Sequence, residues 1–294
     1  MYLKELEYIV TIADEKSITA AANKLFITPP ALAQQLKTLE KNVGAALFLR
    51  SKAGCTPTQA GEIYIKAARE MLQKKQQVYR EIKEIKNWEE SYISVCFPPQ
   101  RGSGLIYSIY DQFHTQYPNV EIRLIEASVH DQQQMIANGE IDLGFQSLMD
   151  SQKTDDIYID LSYEEVLMVA PAAWFPDKKN MDFILRDEIV GKPFALMYGN
   201  STLRTIQDQV LEKMNLHPRV IMTSTRNSTI LDMAAKGYCL GLVGDYYYTE
   251  DRPEIRFFRL SDKPMWKWSV SYKKDSYLSK AARIFIDLAR QYYQ

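Results

Sequence analysis

Two polar side chains, Gln34 and Lys37, share one face of a predicted helix that begins after Thr28. A glutamine amide can both donate to and accept from an adenine edge, and a lysine ammonium can hold guanine or phosphate. The alternative is that both side chains only solvate a surface helix. At about 100° per residue, the polar face lies opposite an apolar stripe. The stripe steps by four, three and four residues and consists of Leu32, Leu36, Leu39 and Val43.

The elements before this helix help to decide between the two interpretations. A first helix is predicted to end near Glu15, and Ser17 is a suitable N-cap for a short second helix. Thr28 can cap the third helix, with Pro29 at its first position, where the missing N–H costs no hydrogen bond. Pro30 still falls in the first turn, where proline is tolerated. Two short helices joined by a capped turn favour docking of the third helix in the major groove of DNA.

A short two-stranded ribbon is predicted after Gly44. Residues 47–50 and 55–57 flank a loop that contains Gly54, which is the pattern of a wing. Basic side chains in a wing would contact the phosphate backbone and fix the register without reading sequence. The predicted DNA-binding residues are Thr28, Pro29, Pro30, Gln34, Lys37, Arg50 and Lys52.

Residues 1–65 resemble the winged helix-turn-helix of LysR-type transcriptional regulators of bacteria. The resemblance implies a sequence-specific DNA-binding regulator of transcription. Two departures fall on the DNA-facing start of the third helix, where the family usually has Ser-Gln-Pro for residues 28–30 and Ser for Ala33. The matching residues, in chain order, are Ala21, Ala22, Leu25, Pro30, Ala31, Leu32, Leu36, Leu39, Glu40, Gly44, Leu47, Phe48, Arg50, Thr58, Ala60 and Gly61.

A long helix is predicted over residues 58–90, capped by Thr58. Its apolar positions alternate steps of four and three, which is the 3.5-residue period of a coiled-coil seam, with Lys75 as a polar member. The alternative is a single helix packed on its own domain, but the length and the sustained heptad favour pairing with a second copy. A two-fold dimer would present its heads to half-sites about 34 Å apart or a multiple of that. The predicted dimerisation residues are Tyr64, Ala68, Met71, Val78, Ile82 and Ile85.

Predicted strands alternate with helices from residue 91 onwards. The first strands are expected at 93–97, 120–124 and 141–145, and a second unit of the same kind is expected to start near Glu164. This alternation favours an α/β fold with a parallel sheet. In open sheets of this kind, ligands bind beyond the carboxyl ends of the strands.

Polar residues follow the predicted strands in both of these units. Ser201 or Thr202 also opens a predicted helix whose free N–H groups could hold a carboxylate or phosphate. Any one of these residues could instead be a helix cap or loop residue, but as a converging set they predict a ligand cleft. Ser147 accompanies Gln146 after the third strand. The predicted effector-binding residues are Gln100, Ser103, Ser128, Gln146, Tyr198, Asn200, Ser201, Thr202, Thr225 and Asn227.

Residues 91–294 resemble, more loosely, the effector domain of the same regulators, a fold shared with periplasmic binding proteins. The segments that match the family pattern are Tyr117-Pro118-x-Val120, Gly139-x-Ile141-Asp142-Leu143 and Ala234-Ala235-Lys236-Gly237-x-x-Leu240. The resemblance implies a first subdomain over about 91–162 plus 266–294, a second over about 163–265, and an effector between them. Three consecutive tyrosines, residues 246–248, are expected to cover the edge of the core rather than line the cleft.

The expected fold class is therefore multidomain α/β. It comprises an N-terminal winged helix-turn-helix over 1–65, a long dimerisation helix over 58–90 and two α/β subdomains of periplasmic-binding-protein type over 91–294. The last helix is expected to be capped near Asp275 or Ser276.

Composition and charge agree with a DNA-binding front end and exclude other classes. Residues 1–90 hold 14 Lys+Arg and 11 Asp+Glu, a balance of +3, whereas the remainder holds 22 against 26, a balance of −4. No apolar run is long enough for a membrane span, and the first residues lack a secretory pattern, so a cytoplasmic protein is expected. The three cysteines fit neither a disulfide framework nor a zinc site.

The sequence makes no case for catalysis. The three histidines are scattered without metal-ligand spacing, and no nucleophile elbow or phosphate-binding Gly-Lys-Ser/Thr loop is present. We therefore expect no enzyme activity, no cofactor and no metal. The alternative is an enzyme or ligand-binding protein on a binding-protein-like scaffold with a regulatory helical domain. The expected partners are double-stranded DNA, a small-molecule effector, further copies of the chain in a dimer or tetramer, and RNA polymerase, with no membrane.

Overall fold

The computed structural model describes residues 2–51, 54–85, 91–199 and 201–293. The chain divides into two compact units, residues 1–88 and 89–294. In the first unit the helices are α1 (Leu3–Glu15), α2 (Ile18–Lys24), α3 (Pro29–Val43) and α4 (Gln59–Ile85), and the strands are β1 (Phe48–Ser51) and β2 (Gly54–Pro57).

Side-chain caps set the starts of the second and third helices. The Ser17 hydroxyl accepts from the Ala20 amide at 3.3 Å, and the Thr28 hydroxyl accepts from the Ala31 amide at 3.4 Å. Ala21 and Ala22 are fully buried, so α2 can pack closely against its neighbours. The predicted end of α1 and both predicted caps are confirmed.

The ribbon is attached to α3 and α4 by hydrogen bonds. Glu40 on α3 accepts from the amides of Leu47 and Phe48 at 2.7 and 3.2 Å. Thr58 caps α4 as predicted, because its hydroxyl accepts from the Gly61 amide at 2.9 Å. A Cβ at Gly61 would lie 1.9 Å from the Leu47 carbonyl oxygen, so only glycine fits where α4 passes the ribbon.

The second unit is a mixed α/β structure. Its helices are α5 (Ser103–Gln116), α6 (Val129–Ala137), α7 (Arg186–Ile189), α8 (Thr202–Lys213), α9 (Asn227–Ala235) and α10 (Lys280–Tyr293). Its strands are β3 (Ser91–Phe97), β4 (Val120–Glu126), β5 (Leu143–Leu148), β6 (Ile157–Pro171), β7 (Phe194–Met197), β8 (Val220–Ser224), β9 (Gly241–Gly244), β10 (Ile255–Phe258) and β11 (Met265–Tyr272).

The larger sheet runs in the order β10-β6-β11-β5-β3-β4, with β9 also paired to β6. Only β3 pairs in parallel, with β4 and β5, whereas β11, β9 and β10 all join this sheet antiparallel. A second, two-stranded sheet pairs β7 and β8 in parallel. The prediction of a parallel sheet is therefore wrong for four of the seven strands of this sheet, because β9, β10 and β11 all run antiparallel to β6.

Two large hydrophobic cores stabilise this unit, beside a small cluster of Cys96, Ile136 and Ile141. The first core lies between β3, β5, β11 and the helices α5 and α10, and Phe113, Phe145 and Phe285 meet in it. The second core surrounds the carboxyl half of β6, with residues 166–170 fully buried. The strand β6 belongs to both, because its first half pairs with β11 and its second half with β9 and β10.

Three predicted element boundaries need correction. Strand β6 begins at Ile157 rather than near Glu164, and β5 continues to Leu148 rather than ending at 145. Helix α10 begins at Lys280, and the Ser279 hydroxyl accepts from the Ala282 amide at 3.0 Å. The predicted caps Asp275 and Ser276 both lie before this start, and Asp275 stands in a left-handed turn with a φ of 60°.

Candidate functional site

The predicted DNA-reading face of α3 is open to solvent. Thr28, Pro30, Gln34 and Lys37 are exposed, and Pro29 is half-buried. In the opposite stripe, the three leucines are packed in the unit's core, whereas Val43 is 44 % exposed. Arg50 lies on β1 opposite Cys55, but its side chain is outside the described part of the chain, as is the whole of Lys52. The described residues thus place the polar face of α3 outward, as docking in a groove requires.

One exposed side chain on this unit was not singled out from the sequence. Phe26 is 96 % exposed in the turn before α3, with a φ of 55°. A bulky residue at positive φ is uncommon and marks a turn whose geometry is set by its surroundings. The turn therefore presents an aromatic ring beside the start of the reading helix.

The seam of α4 divides into a covered part and an open part. Ala68 is 1 % exposed and Tyr64 packs on the core of its own unit. Their assignment to a paired surface is therefore corrected, because α4 packs against α1 at this end. Lys75 is explained by the same packing, since its ammonium lies 3.3 Å from the Glu7 carboxylate.

The rest of the seam leaves an exposed apolar stripe. Met71, Val78 and Ile82 are 43–45 % exposed, and the side chain of Ile85 lies outside the described residues. These three residues recur at steps of seven and four on one face of α4.

A cavity of about 400 Å³ opens in the second unit, between elements that surround the two cores. Its walls come from the turn after β3, the end of β5 and the start of α6 on one side, and from β7, α8 and the start of α9 on the other. Its lining includes six of the predicted effector-binding residues: Ser128, Tyr198, Ser201, Thr202, Thr225 and Asn227. Ser147 also lines it.

The other predicted effector residues lie elsewhere. Gln100, at a φ of 67°, hydrogen-bonds Ser228 across the mouth, with Nε2 3.2 Å from the Ser228 hydroxyl. Ser103 begins α5 away from the cavity lining, and Gln146 is fully buried within β5 because that strand continues past it. Asn200 lies outside the described residues.

Helix starts converge on the cavity and are capped by predicted residues. Ser128 caps α6, accepting from the Asp131 amide at 3.2 Å and donating to the Asp131 carboxylate at 2.7 Å. Ser201 caps α8, accepting from the Arg204 amide at 3.1 Å. The Thr202 hydroxyl is buried in the lining and has no hydrogen-bond partner among the described residues. Its hydrogen-bonding capacity is therefore not met by the described residues.

A buried ion pair forms the floor of the cavity. The Arg101 guanidinium donates to both carboxylate oxygens of Glu164, at 2.5 and 2.8 Å, and to the Ser147 hydroxyl at 2.9 Å. The Trp266 indole N–H donates to the same Glu164 carboxylate at 2.6 Å. Both charged side chains are less than 10 % exposed. Such a pair is stabilised only when its geometry and its additional hydrogen bonds are good, and both are present here.

Aromatic rings enclose the guanidinium. Its carbon lies 3.6 Å from the centre of the Tyr246 ring and 3.8 Å from that of Trp268. Burial opposes the charged form of Arg101, but the hydrogen bonds to Glu164 and the electrostatic attraction of the surrounding groups together outweigh it and raise the pKa of Arg101. Tyr246 thus lines the cavity, which corrects the expectation for this residue, whereas Tyr247 and Tyr248 pack on the second core as expected.

The ion pair at the floor of the cavity was not predicted from the sequence. Arg101 and Glu164 are 63 positions apart, and neither stands in a motif. The one available signal is the alternation of polar and apolar residues over 157–165, which places Glu164 within a strand rather than at its start.

The described residues show no metal centre and no membrane helix. No group of three His, Cys, Asp or Glu side chains among them could hold a metal ion. No helix in the described ranges is long and apolar enough to cross a bilayer.

The three cysteine thiols are expected to resist modification in the folded protein. Cys55, Cys96 and Cys239 are buried, and burial raises the pKa of Cys96 to about 12 and that of Cys239 to about 11. We expect an aromatic disulfide reagent to label less than one thiol per chain at pH 8 within minutes, and all three after unfolding in guanidinium. Rapid labelling of one thiol in the native protein would contradict this burial.

The fold and the site together define a class of protein: a DNA-reading helical unit joined to a ligand-binding α/β unit. Residues 3–62 match the family described as bacterial regulatory helix-turn-helix protein, lysR family, and residues 89–294 match the LysR substrate binding domain. The chain belongs to the LysR family of bacterial transcriptional regulators, as the sequence resemblance indicated.

Individual relatives agree with this assignment. The uncharacterized HTH-type transcriptional regulator YcgK of Bacillus subtilis is 27 % identical over 99 % of this chain and 94 % of its own. A full-length OxyR variant from Pseudomonas aeruginosa covers 100 % of this chain and 94 % of its own, with a TM-score of 0.67 at 23 % identity. Full-length CbnR in complex with its target DNA covers 99 % of both chains, with a TM-score of 0.64 at 17 % identity. The two solved structures show a shared fold.

Proposed function

We propose that this protein regulates transcription by placing α3 in the major groove of operator DNA, with the ribbon β1–β2 on the phosphate backbone. The observation that carries the proposal is the exposed polar face of α3 at the end of a capped helix-turn. Its fold likeness to CbnR, which has been solved with its target DNA, supports the same docking. The DNA-contacting residues are those named from the sequence, Thr28, Pro29, Pro30, Gln34, Lys37, Arg50 and Lys52.

We propose further that the protein acts as a dimer or tetramer in the cytoplasm and works on RNA polymerase at promoters. The exposed stripe of Met71, Val78 and Ile82 supports pairing through α4. The functional divisions are residues 1–65, 58–90 and 91–294, the last with subdomains over about 91–162 plus 266–294 and about 163–265. The two large cores, one at each half of β6, support the division into two subdomains.

A small effector in the cavity would control this activity by binding one geometry of the unit better than another. The contact between Gln100 and Ser228 joins the two walls at the mouth, so closure on a ligand and this contact are coupled. The cavity suits binding without turnover, because its ionisable groups are engaged. Arg101 is paired with Glu164, and Asp131 with its own cap hydroxyl.

Replacing Gln34 by alanine is expected to relax the preference among operator sequences at one base position. A bidentate amide–adenine contact contributes about 1–3 kcal/mol of discrimination, so the ratio of affinities for the two bases should fall by about fivefold or more. Gel shifts with operator fragments that differ at single positions measure this ratio. If the preference among operator sequences is unchanged, Gln34 does not read a base.

Gln35→Ala is the matched control. Gln35 is also exposed on α3 but is turned by about 100° from Gln34. The preference should survive this change. If Gln35→Ala relaxes it while Gln34→Ala does not, the face of α3 assigned to the groove is the wrong one.

A further inference from the structure

The charged groups at the floor of the cavity already neutralise one another. Arg101 lines the cavity, but both Glu164 oxygens accept from its guanidinium, at 2.5 and 2.8 Å. The pair is buried, with 8 % and 7 % of the two side chains exposed. A ligand reaching this floor therefore meets a neutral pair rather than a free cation.

A second carboxylate at the floor would be repelled. An anionic group close enough to bond the guanidinium of Arg101 would lie within a few ångströms of Glu164, where like charges interact strongly in a dry site. The Trp266 N–H, which could help an incoming anion, is already donated to Glu164 at 2.6 Å. Glu164 itself lies behind Arg101, and the one carboxylate among the described lining residues, Asp131, adds a further negative charge.

The first turns of α8 and α9 both lack an acidic residue, and α8 is the better place for an anionic group because it also carries a buried hydroxyl without a partner among the described residues. The first turn of α6 holds its own Asp131, whereas that of α8 contains no acidic residue. The amides at the start of a helix have no acceptor within the helix and favour an anion. Thr202, 5 % exposed, adds a buried hydroxyl that has no partner among the described residues and lines the cavity.

Apolar side chains form a large part of the remaining wall, beside polar ones such as Ser128, Thr225 and Asn227. The side chains of Val129, Met197, Leu203 and Trp266 and the ring of Tyr246 line a volume of about 400 Å³. That volume fits a small ligand with a hydrocarbon or aromatic body.

We propose that the cavity selects a small ligand with one negative charge, bound at the start of α8 and at Thr202, and that the Glu164–Arg101 pair rejects a second carboxylate at the floor. This inference rests on the proposed function of the cavity as the effector site. It names the chemical class of effector: an apolar or aromatic monocarboxylate.

Matched acids test the selection on the purified full-length chain. The probes are benzoate against terephthalate and hexanoate against adipate, with dissociation constants measured by equilibrium dialysis. We expect at least one monocarboxylate to bind about tenfold or more tightly than its dicarboxylate partner. Thr202→Val should lower the affinity for that monocarboxylate by about tenfold, since the hydrogen bond to the threonine hydroxyl is lost.

Thr205→Val is the matched control, because Thr205 is exposed one turn further along α8 and does not line the cavity. Its affinity for the monocarboxylate should stay at the wild-type value. Equal loss in both threonine variants would overturn the anchor at Thr202.

Charge selection is tested directly by Glu164→Gln, which keeps the shape and removes the charge. The preference for monocarboxylate should shrink by about tenfold. Tryptophan fluorescence shows whether this variant folds. If it does not fold, the inference is tested by the ratio of monocarboxylate to dicarboxylate affinity of the wild type and by the comparison of Thr202→Val with Thr205→Val. Dicarboxylates that bind wild type as tightly as their partners, or no binding of either monocarboxylate up to about 10 mM, would overturn the inference. Gel shifts without ligand test the proposed DNA binding separately, so the two failures are distinguishable.

Discussion

Replacing Glu164 by alanine is expected to lower the free energy of unfolding of the second unit by about 3–5 kcal/mol. The variant leaves the Arg101 guanidinium buried, charged and without its carboxylate partner. It also removes the acceptor of the Trp266 indole N–H. Removing one partner of a buried pair is costly because the remaining charge has lost both water and its counterion.

Urea unfolding followed by tryptophan fluorescence measures this change. Trp174, Trp266 and Trp268 all lie in the second unit, so the signal reports mainly on it. Glu121→Ala is the control, since its ion pair with Arg123 is about half exposed and should contribute little to stability. A Glu164→Ala variant within about 1 kcal/mol of wild type would show that the pair is not buried as described.

A double replacement separates the cost of a lone charge from the value of the pair. Arg101→Met together with Glu164→Met removes both charges, and buried pairs replaced by apolar side chains are often neutral in stability. We expect most of the loss seen in the single variant to be recovered. Effector binding is the property that the double variant should change.

Replacing Val78 by aspartate is expected to convert the protein to a monomer and to weaken operator binding by about a hundredfold or more. Val78 lies in the middle of the exposed stripe on α4, where a second copy would bring an identical charge against it. A monomer binds only one half-site. It therefore loses the increase in affinity that comes from binding two half-sites at once, which is a factor of about 10²–10⁴. Sedimentation equilibrium and gel shifts on the same preparation measure both effects.

Gln77→Asp provides the control for introducing the charge itself. Gln77 precedes Val78 on α4, and its side chain accepts from Lys74 on the exposed face, away from the seam. This variant should remain paired and bind DNA normally. A Val78→Asp protein that still sediments as a dimer would place the pairing surface elsewhere on the chain.

The parts of the fold that could be predicted from the sequence depend on local signals. Thr28 caps α3 through a neighbour three residues away, and the leucine stripe of that helix needs only its own periodicity. Ser128 and Ser201 were placed at the cavity for the same reason, because a helix cap after a strand fixes both its conformation and its position.

The parts that could not be predicted depend on packing between distant segments. The heptad of α4 shows which face is apolar but not which helix covers it, so Ala68 was assigned to a second copy although its own unit buries it. The side that Gln146 faces depends on how far β5 continues, and the extra residues of that strand move it from the cleft to the interior. No periodic pattern in the sequence indicates the pairing of Arg101 with Glu164, since tertiary contacts alone bring the two together.

The most direct measurement of the central claim is a methylation-protection footprint of the full-length protein on its operator, read at guanine N7 in the major groove. The account predicts protection in two patches on one face of the duplex, separated by about one helical turn (34 Å) or a multiple of it, because two copies of α3 enter the groove together. Protection should disappear at high salt, where phosphate contacts weaken. A single patch, or operator binding without any major-groove protection, would contradict it.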